Sequence, residues 1–196
     1  LLEEYTIANI ITPLAESGVG IIRLSGRDSF RIIDQLFSPY QKDTWHRKES
    51  HKAYLGILHT ADGAKLDEAL ILLMKGPHSF PGEDTVEIHC HGNPFILKET
   101  LKELFAHGAR KSTAGEFTRR AFLNGKLDLT QSEAILDTIR ANNRKALNNS
   151  LNQLDGRLKE RISALKEEVI RMTAYLEASI DFPDDEIEES YTRENL

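Results

Sequence analysis

The chain has 196 residues, 40% of them hydrophobic and 29% charged, with 31 acidic against 25 basic side chains and a formal net charge of −6. Such a composition suits a globular protein with one core and a second, smaller unit, and it excludes an overall field that would draw in nucleic acid. The single cysteine, Cys90, excludes an internal disulfide framework, and no apolar run reaches membrane-spanning length.

These features predict a cytoplasmic protein, and Leu1-Leu2-Glu3-Glu4 has neither the basic region nor the apolar core of a signal peptide. The absence of an initiator Met and the polar ending Tyr191-Thr192-Arg193-Glu194-Asn195-Leu196 lead to the expectation of a fragment.

In chain order, Thr6 to Ile11 and Gly20 to Leu24 are β-branched runs that read as two strands joined by a tight loop. Gly18-Val19-Gly20 lacks the spacing of a phosphate loop and precedes a strand instead of a helix. Phe30, Ile33, Leu36 and Phe37 recur at helical spacing up to Ser38-Pro39. The polar segment Tyr40 to Ser50, with Trp45, reads as a surface loop. Ala53 to Leu58 and Ala69 to Met74 read as a hairpin reversed at Asp62-Gly63. After the Gly- and Pro-rich stretch Gly76 to Asp84, the strand Thr85 to His91 alternates Val86, Ile88 and Cys90 with Glu87, His89 and His91. One face is core and the other polar. Phe95 to Phe105 then outline a helix.

Gly115 to Thr130 interleaves Glu116, Arg119, Arg120, Lys126 and Asp128 with Phe117, Phe122, Leu123, Leu127 and Leu129. Mixed structure precedes it and helix alone follows, so it reads as a junction and a candidate site. Thr130-Gln131-Ser132-Glu133 has the pattern of a capping box. Leu147, Leu151, Leu154, Leu158, Ile162, Leu165, Val169, Met172 and Leu176 then form a seam at coiled-coil spacing, which Gly156 is expected to kink without ending the helix. Asp181-Phe182-Pro183 is expected to end it, with the acidic run 184–189 as an exit linker.

Among candidate chemical groups, His89 and His91 lack a second spaced ligand pair, so satisfied or site-wall histidines are preferred to a metal site. Alternation makes Cys90 a core residue instead of a nucleophile. Glu87, a mid-strand carboxylate beside two histidines, must be solvated or paired, and a structural salt bridge and a ligand contact stay equally open. Arg23 fits an exposed strand face and Lys126 a solvated loop. Arg110, Lys111, Arg119 and Arg120 cluster, but nearby Glu116 and Glu133 favour a solvated face.

Five ordered motifs go further: Thr6-Ile7-Ala8 with Thr12-Pro13; Gly18 to Gly26; Ser79 to Asp84 with Val86-Glu87-Ile88 and His91-Gly92; Gly115 to Leu129; and Ile180-Asp181-Phe182-Pro183. Through them the chain resembles, over essentially its whole length, the N-terminal part of the MnmE (TrmE) family of tRNA modification GTPases. It departs from the family pattern at Leu14 to Ser17, Pro81, Asn93 and Thr113-Ala114, which bears on local loop shape.

The resemblance implies an α+β fold. Residues 1–124 would form a mixed α/β tetrahydrofolate-binding domain, similar to the aminomethyltransferases, that also homodimerises. Residues 125–196 would form the first half of a helical domain, into which a GTPase domain using GTP, magnesium and potassium is inserted. With the flavoprotein MnmG (GidA), such proteins place a carboxymethylaminomethyl or aminomethyl group on C5 of the tRNA wobble uridine, using a formyl or methylene tetrahydrofolate. Carried over by motif, Arg23, Glu87 and Lys126 are the folate contacts, with no metal ligand and no catalytic residue assigned. A carboxylate suits the aminopyrimidine edge of a pterin, and Arg and Lys suit a carboxylate tail or a carbonyl. Glu116, Arg119 and Arg120 are then read as structural. Without a phosphate-loop spacing the chain should not hydrolyse GTP. The alternatives are a free-standing folate-dependent one-carbon transferase and a helical dimerisation adaptor.

Overall fold

The computed structural model describes residues 5–181, and the chain divides into two compact units, Leu1–Asp128 and Leu129–Leu196. The division falls four residues after the boundary expected at 124, because the turn that follows the last helix of the first unit folds back on that helix, Lys126 N donating to the Ala121 carbonyl at 2.8 Å.

The first unit runs β1 (Ile7–Ile10), β2 (Ser17–Ser25), α1 (Ser29–Leu36), β3 (Phe37–Pro39), α2 (Lys42–Trp45), β4 (Lys52–His59), β5 (Lys65–Met74), β6 (Thr85–Gly92), α3 (Pro94–Ala106), β7 (Arg110–Lys111) and α4 (Glu116–Leu123). Its strands form one sheet in the order β3-β4-β5-β6-β2-β1-β7, antiparallel except for the parallel β1–β7 pair. The α+β fold expected from the sequence is the fold observed.

Period-two alternation decides which face is buried. Ile22 and Leu24 of β2, Ile71 and Leu73 of β5, and Val86, Ile88 and Cys90 of β6 point into the core, where Ile32, Ile33 and Leu36 of α1 and Leu97 and Leu104 of α3 cover them. Each such side chain contributes about 1.5–3 kcal/mol on burial. The same alternation sends Arg23 and Glu87 to the opposite face, and the β2–β6 register sets them directly across from each other.

Trp45 corrects the surface-loop expectation. It is buried, with ring centroids 5.0 Å from Phe37 and 5.1 Å from Tyr54, and its indole N–H donates to Asp34 at 3.0 Å. The polar neighbours lie outward on the one-turn helix α2 while the indole turns inward. A window average sees only the neighbours.

The second unit has α5 (Leu129–Arg140), α6 (Arg144–Leu154) and α7 (Arg157–Asp181). Ala134 of α5 and Ser150 of α6 are buried, and the Gln131 amide donates to the Leu154 carbonyl at 2.8 Å. Two expectations are corrected. Thr130 does not cap α5, which already begins at Leu129. Gly156 ends the helix: with φ +83° it takes the left-handed conformation open to glycine, and Asp155 and Gly156 donate back to the carbonyls of Leu151 and Gln153. The seam is therefore divided between α6 and α7. Phe182-Pro183 and the acidic run 184–189 lie outside the described residues.

Candidate functional site

Arg23 and Glu87 meet in mid-sheet. The Arg23 Nε and Nη2 both donate to Glu87 Oε1, at 3.1 and 2.8 Å, and the two side chains are 18% and 15% exposed. A charge pair this enclosed needs further partners to offset its desolvation. Two aromatic rings supply them. The guanidinium lies 5.2 Å from the Phe80 ring centroid and 5.4 Å from that of Phe117, within cation–π range. Phe80 comes from loop 76–84 and Phe117 from α4, so three separate segments converge on Arg23. Because both donors converge on Oε1, Glu87 Oε2 is turned elsewhere, with His89 Nε2 at 3.4 Å.

Lys126 contacts the same loop. The turn after α4 returns the chain so that Lys126 Nζ donates to the Pro77 carbonyl at 3.0 Å and the Asn124 amide donates to the Pro81 carbonyl at 2.7 Å. Between them Gly82 has φ +83°, and a Cβ there would stand 3.0 Å from Asn124 Cβ and 3.1 Å from Lys126 Cγ. Only glycine meets both demands. The structure thus brings Arg23 and Glu87 into contact and joins Lys126 to them through the loop that carries Phe80.

Beneath this loop lies a cluster of four alternating charges. Glu83 Oε1 accepts from the Ser25 hydroxyl and from Arg120 Nη1, each at 2.7 Å. Arg120 Nη2 donates to the Tyr5 carbonyl at 2.9 Å and to Glu116 Oε1 at 3.2 Å. Glu116 also accepts from Arg110 Nη1 at 2.9 Å and from the backbone N–H and hydroxyl of Thr113. The side chains of Arg120 and Glu116 are wholly buried, which corrects the solvated-face reading at Arg120, whereas Lys111 and Arg119 are exposed as that reading expects. Burial acts to raise the Glu116 carboxyl, but the donors from Arg110, Thr113 and Arg120 outweigh it and bring it from 4.5 to about 2. The cluster is neutral as a whole, two carboxylates against two guanidinium groups.

Further along β6, Thr85 and His91 have partners of their own. Asp67 bonds His91 twice, accepting its backbone N–H and meeting its Nδ1, each at 2.8 Å. Burial pushes the Cys90 thiol up to about 12, well away from thiolate chemistry. Among the described residues no group of three or more His, Cys, Asp or Glu side chains stands together as a metal site.

The family motifs proposed Arg23, Glu87 and Lys126 as contacts, and sequence reasoning did not name Phe80, Phe117 or Glu83 beside them. For the charge cluster, the signal available was the i,i+4 spacing of Glu116 and Arg120, which puts opposite charges on one helix face.

Comparison with known proteins places the chain. Residues 6–126 match the family model described as GTP-binding protein TrmE N-terminus, and residues 129–196 match the MnmE helical domain. The tRNA modification GTPase MnmE of Symbiobacterium thermophilum is 44% identical over 193 residues, covering 98% of this chain and 42% of that protein. Proteins of the same name from Desulfotalea psychrophila and Alkaliphilus metalliredigens are 42% and 43% identical, covering 93% and 94% of the chain. The chain spans about two fifths of the length of these relatives. No helix among the described residues is long and apolar enough to cross a membrane. By the family models that cover both of its units, the chain belongs to the MnmE (TrmE) family, contributing the N-terminal domain and helical-domain sequence.

Proposed function

We propose that this chain is the tetrahydrofolate-binding and dimerising portion of a tRNA modification GTPase. The observation that carries the reading is the Arg23–Glu87 pair, flanked by Phe80 and Phe117 and joined to Lys126 through loop 76–84. These residues fit a reduced folate. Glu87 offers a carboxylate to an aminopyrimidine edge, the two rings offer apolar faces, and Arg23 and Lys126 offer cations to carbonyl or carboxylate groups. Arg23 orients Glu87 through its two hydrogen bonds, and Lys126 is held within reach by a single carbonyl bond that a stronger acceptor would displace. When bound, the folate would supply the one-carbon unit, in its formyl or methylene form.

The dimer reading draws on the sheet face opposite the core. There Leu55 of β4 and Leu70 of β5 stand in register and are 49% and 37% exposed, an apolar patch at the β4–β5 end of that face. In the whole protein, GTP hydrolysis with magnesium and potassium belongs to a further domain. A flavoprotein of the MnmG (GidA) kind is the partner in modifying the wobble uridine of tRNA.

Calorimetric titration with formyl-tetrahydrofolate tests the site, and saturable heat at one ligand per chain is expected. No heat at millimolar ligand counts against it. Transfer of the one-carbon group by this chain without any partner would favour the free-standing transferase instead.

A further inference from the structure

Loop 76–84 carries no regular structure, yet it is fastened to α4 and its following turn at three successive points. Pro77 accepts from Lys126, Pro81 accepts from Asn124, and Glu83 accepts from Arg120. The first bond is exposed, with its donor on a flexible lysine. The second joins an amide to a carbonyl. The third differs in kind, because the Arg120 side chain is completely buried and its ion pair with Glu83 sits within the four-charge cluster. Glu83 also holds the hydroxyl of Ser25, two residues along β2 from Arg23. The same carboxylate therefore ties the loop to the strand that bears Arg23 and to the helix that bears Phe117.

Geometry gives this arrangement a purpose beyond stability. Phe80 reaches Arg23 only because the loop returns over the sheet, and Phe117 reaches it from the first turn of α4, one turn before Arg120. We propose that the Glu83–Arg120 ion pair is the positioning latch of the candidate site, fixing loop 76–84 on α4 so that Phe80 and Phe117 enclose Arg23 and Lys126 stays beside the loop. Glu83 and Arg120 are positioning residues and touch no ligand themselves. Breaking the pair leaves Arg120 with Glu116 and the Tyr5 carbonyl but with one carboxylate fewer against two guanidinium groups, so opening the latch is costly. The lysine bond at the loop's other end is the adjustable one. A ligand that draws Lys126 away from Pro77 would free that end while Glu83 still holds the base.

The test uses the full 196-residue chain in four forms: native, Glu83→Ala, Glu83→Gln and Leu104→Ala. Glutamine keeps the shape and one carbonyl acceptor for Arg120 and Ser25, so it serves as the conservative variant and as insurance if Glu83→Ala fails to fold. Leu104→Ala damages the core on the helix-covered face and controls for a general loss of stability. The first readout is amide hydrogen exchange at residues 76–84, which needs no ligand. Glu83→Ala is expected to speed it at least about tenfold, with Glu83→Gln intermediate and Leu104→Ala unchanged relative to the rest of the sheet.

The second readout, formyl-tetrahydrofolate affinity, rests on the folate reading above. Glu83→Ala is expected to weaken binding by about tenfold or more and Glu83→Gln by less, with Leu104→Ala near native. Loop exchange that is the same in native and Glu83→Gln chains overturns the latch. So does a loosened loop that binds folate with native affinity, because the loop would then not be positioning the site. If the native chain binds no folate, the ligand reading fails separately, and the exchange result alone decides whether the latch exists.

Discussion

The two units solve the problem of burying apolar surface in opposite ways. In the first, the sheet closes against α1 and α3, and Ile22, Leu24, Ile71, Val86, Ile88, Leu97 and Leu104 are fully buried. In the second, the long helix α7 leaves Ile162, Leu165, Val169, Leu176 and Ile180 between 50% and 75% exposed. A helix with a sustained apolar stripe gains its stability by packing that stripe, and among the described residues the second unit does not give α7 the cover that the first unit's helices give its sheet. The difference teaches where to look for chemistry. In the self-sufficient unit, charge inside the structure is held against opposite charge, as at Glu116 and Arg120, and that expense marks a constrained place.

The contrast is most severely tested by breaking that pairing. Arg120→Met leaves Glu83 and Glu116 without their shared cation and is expected to destabilise the first unit by about 3–5 kcal/mol in urea unfolding, with the circular dichroism of the helical unit little changed. Loss of both signals together would mean that the units unfold as one.

A core deletion should follow. Leu104→Ala is expected to cost about 2–5 kcal/mol, whereas Leu165→Ala on α7 should fall within about 0.5 kcal/mol of the native chain in the same unfolding experiment. Equal costs would show that α7 is covered in solution.

Acid sharpens the comparison from the side of charge. Glu116 has its carboxyl depressed from 4.5 to about 2, so its stabilising contribution is fully present above about pH 4.5 and is lost as the pH falls toward 2. The first unit should therefore lose stability across that window. Glu116→Gln should flatten the profile there while lowering stability at neutral pH, and an unchanged acid limb would assign the loss to other carboxylates.

Much of the fold was legible in the sequence because alternation and turn chemistry report directly on a half-buried sheet. The opposite faces of Val86, Ile88 and Cys90 against Glu87, His89 and His91 follow from a period of two, and β6 has that arrangement. What escaped depends on partners distant in the chain. Trp45 is buried by Phe37 and Tyr54, and Arg120 by Glu83 and Tyr5, contacts that no local window contains. Gly156 escaped for another reason. Helical periodicity continues across it, so only its left-handed φ reveals the break. The candidate site divides along the same line, Arg23, Glu87 and Lys126 being proposed from motifs while the rings of Phe80 and Phe117 beside Arg23 required the folded chain.

The central claim is that these three residues serve one ligand, and side-by-side binding isotherms with formyl-tetrahydrofolate for the native chain, Glu87→Ala and Lys126→Ala test it most directly. The account predicts saturable binding by the native chain, none detectable for Glu87→Ala, and at least about tenfold weaker binding for Lys126→Ala. Native affinity in Lys126→Ala would contradict it, separating the lysine from the Arg23–Glu87 pair and leaving loop 76–84 as a structural connection alone.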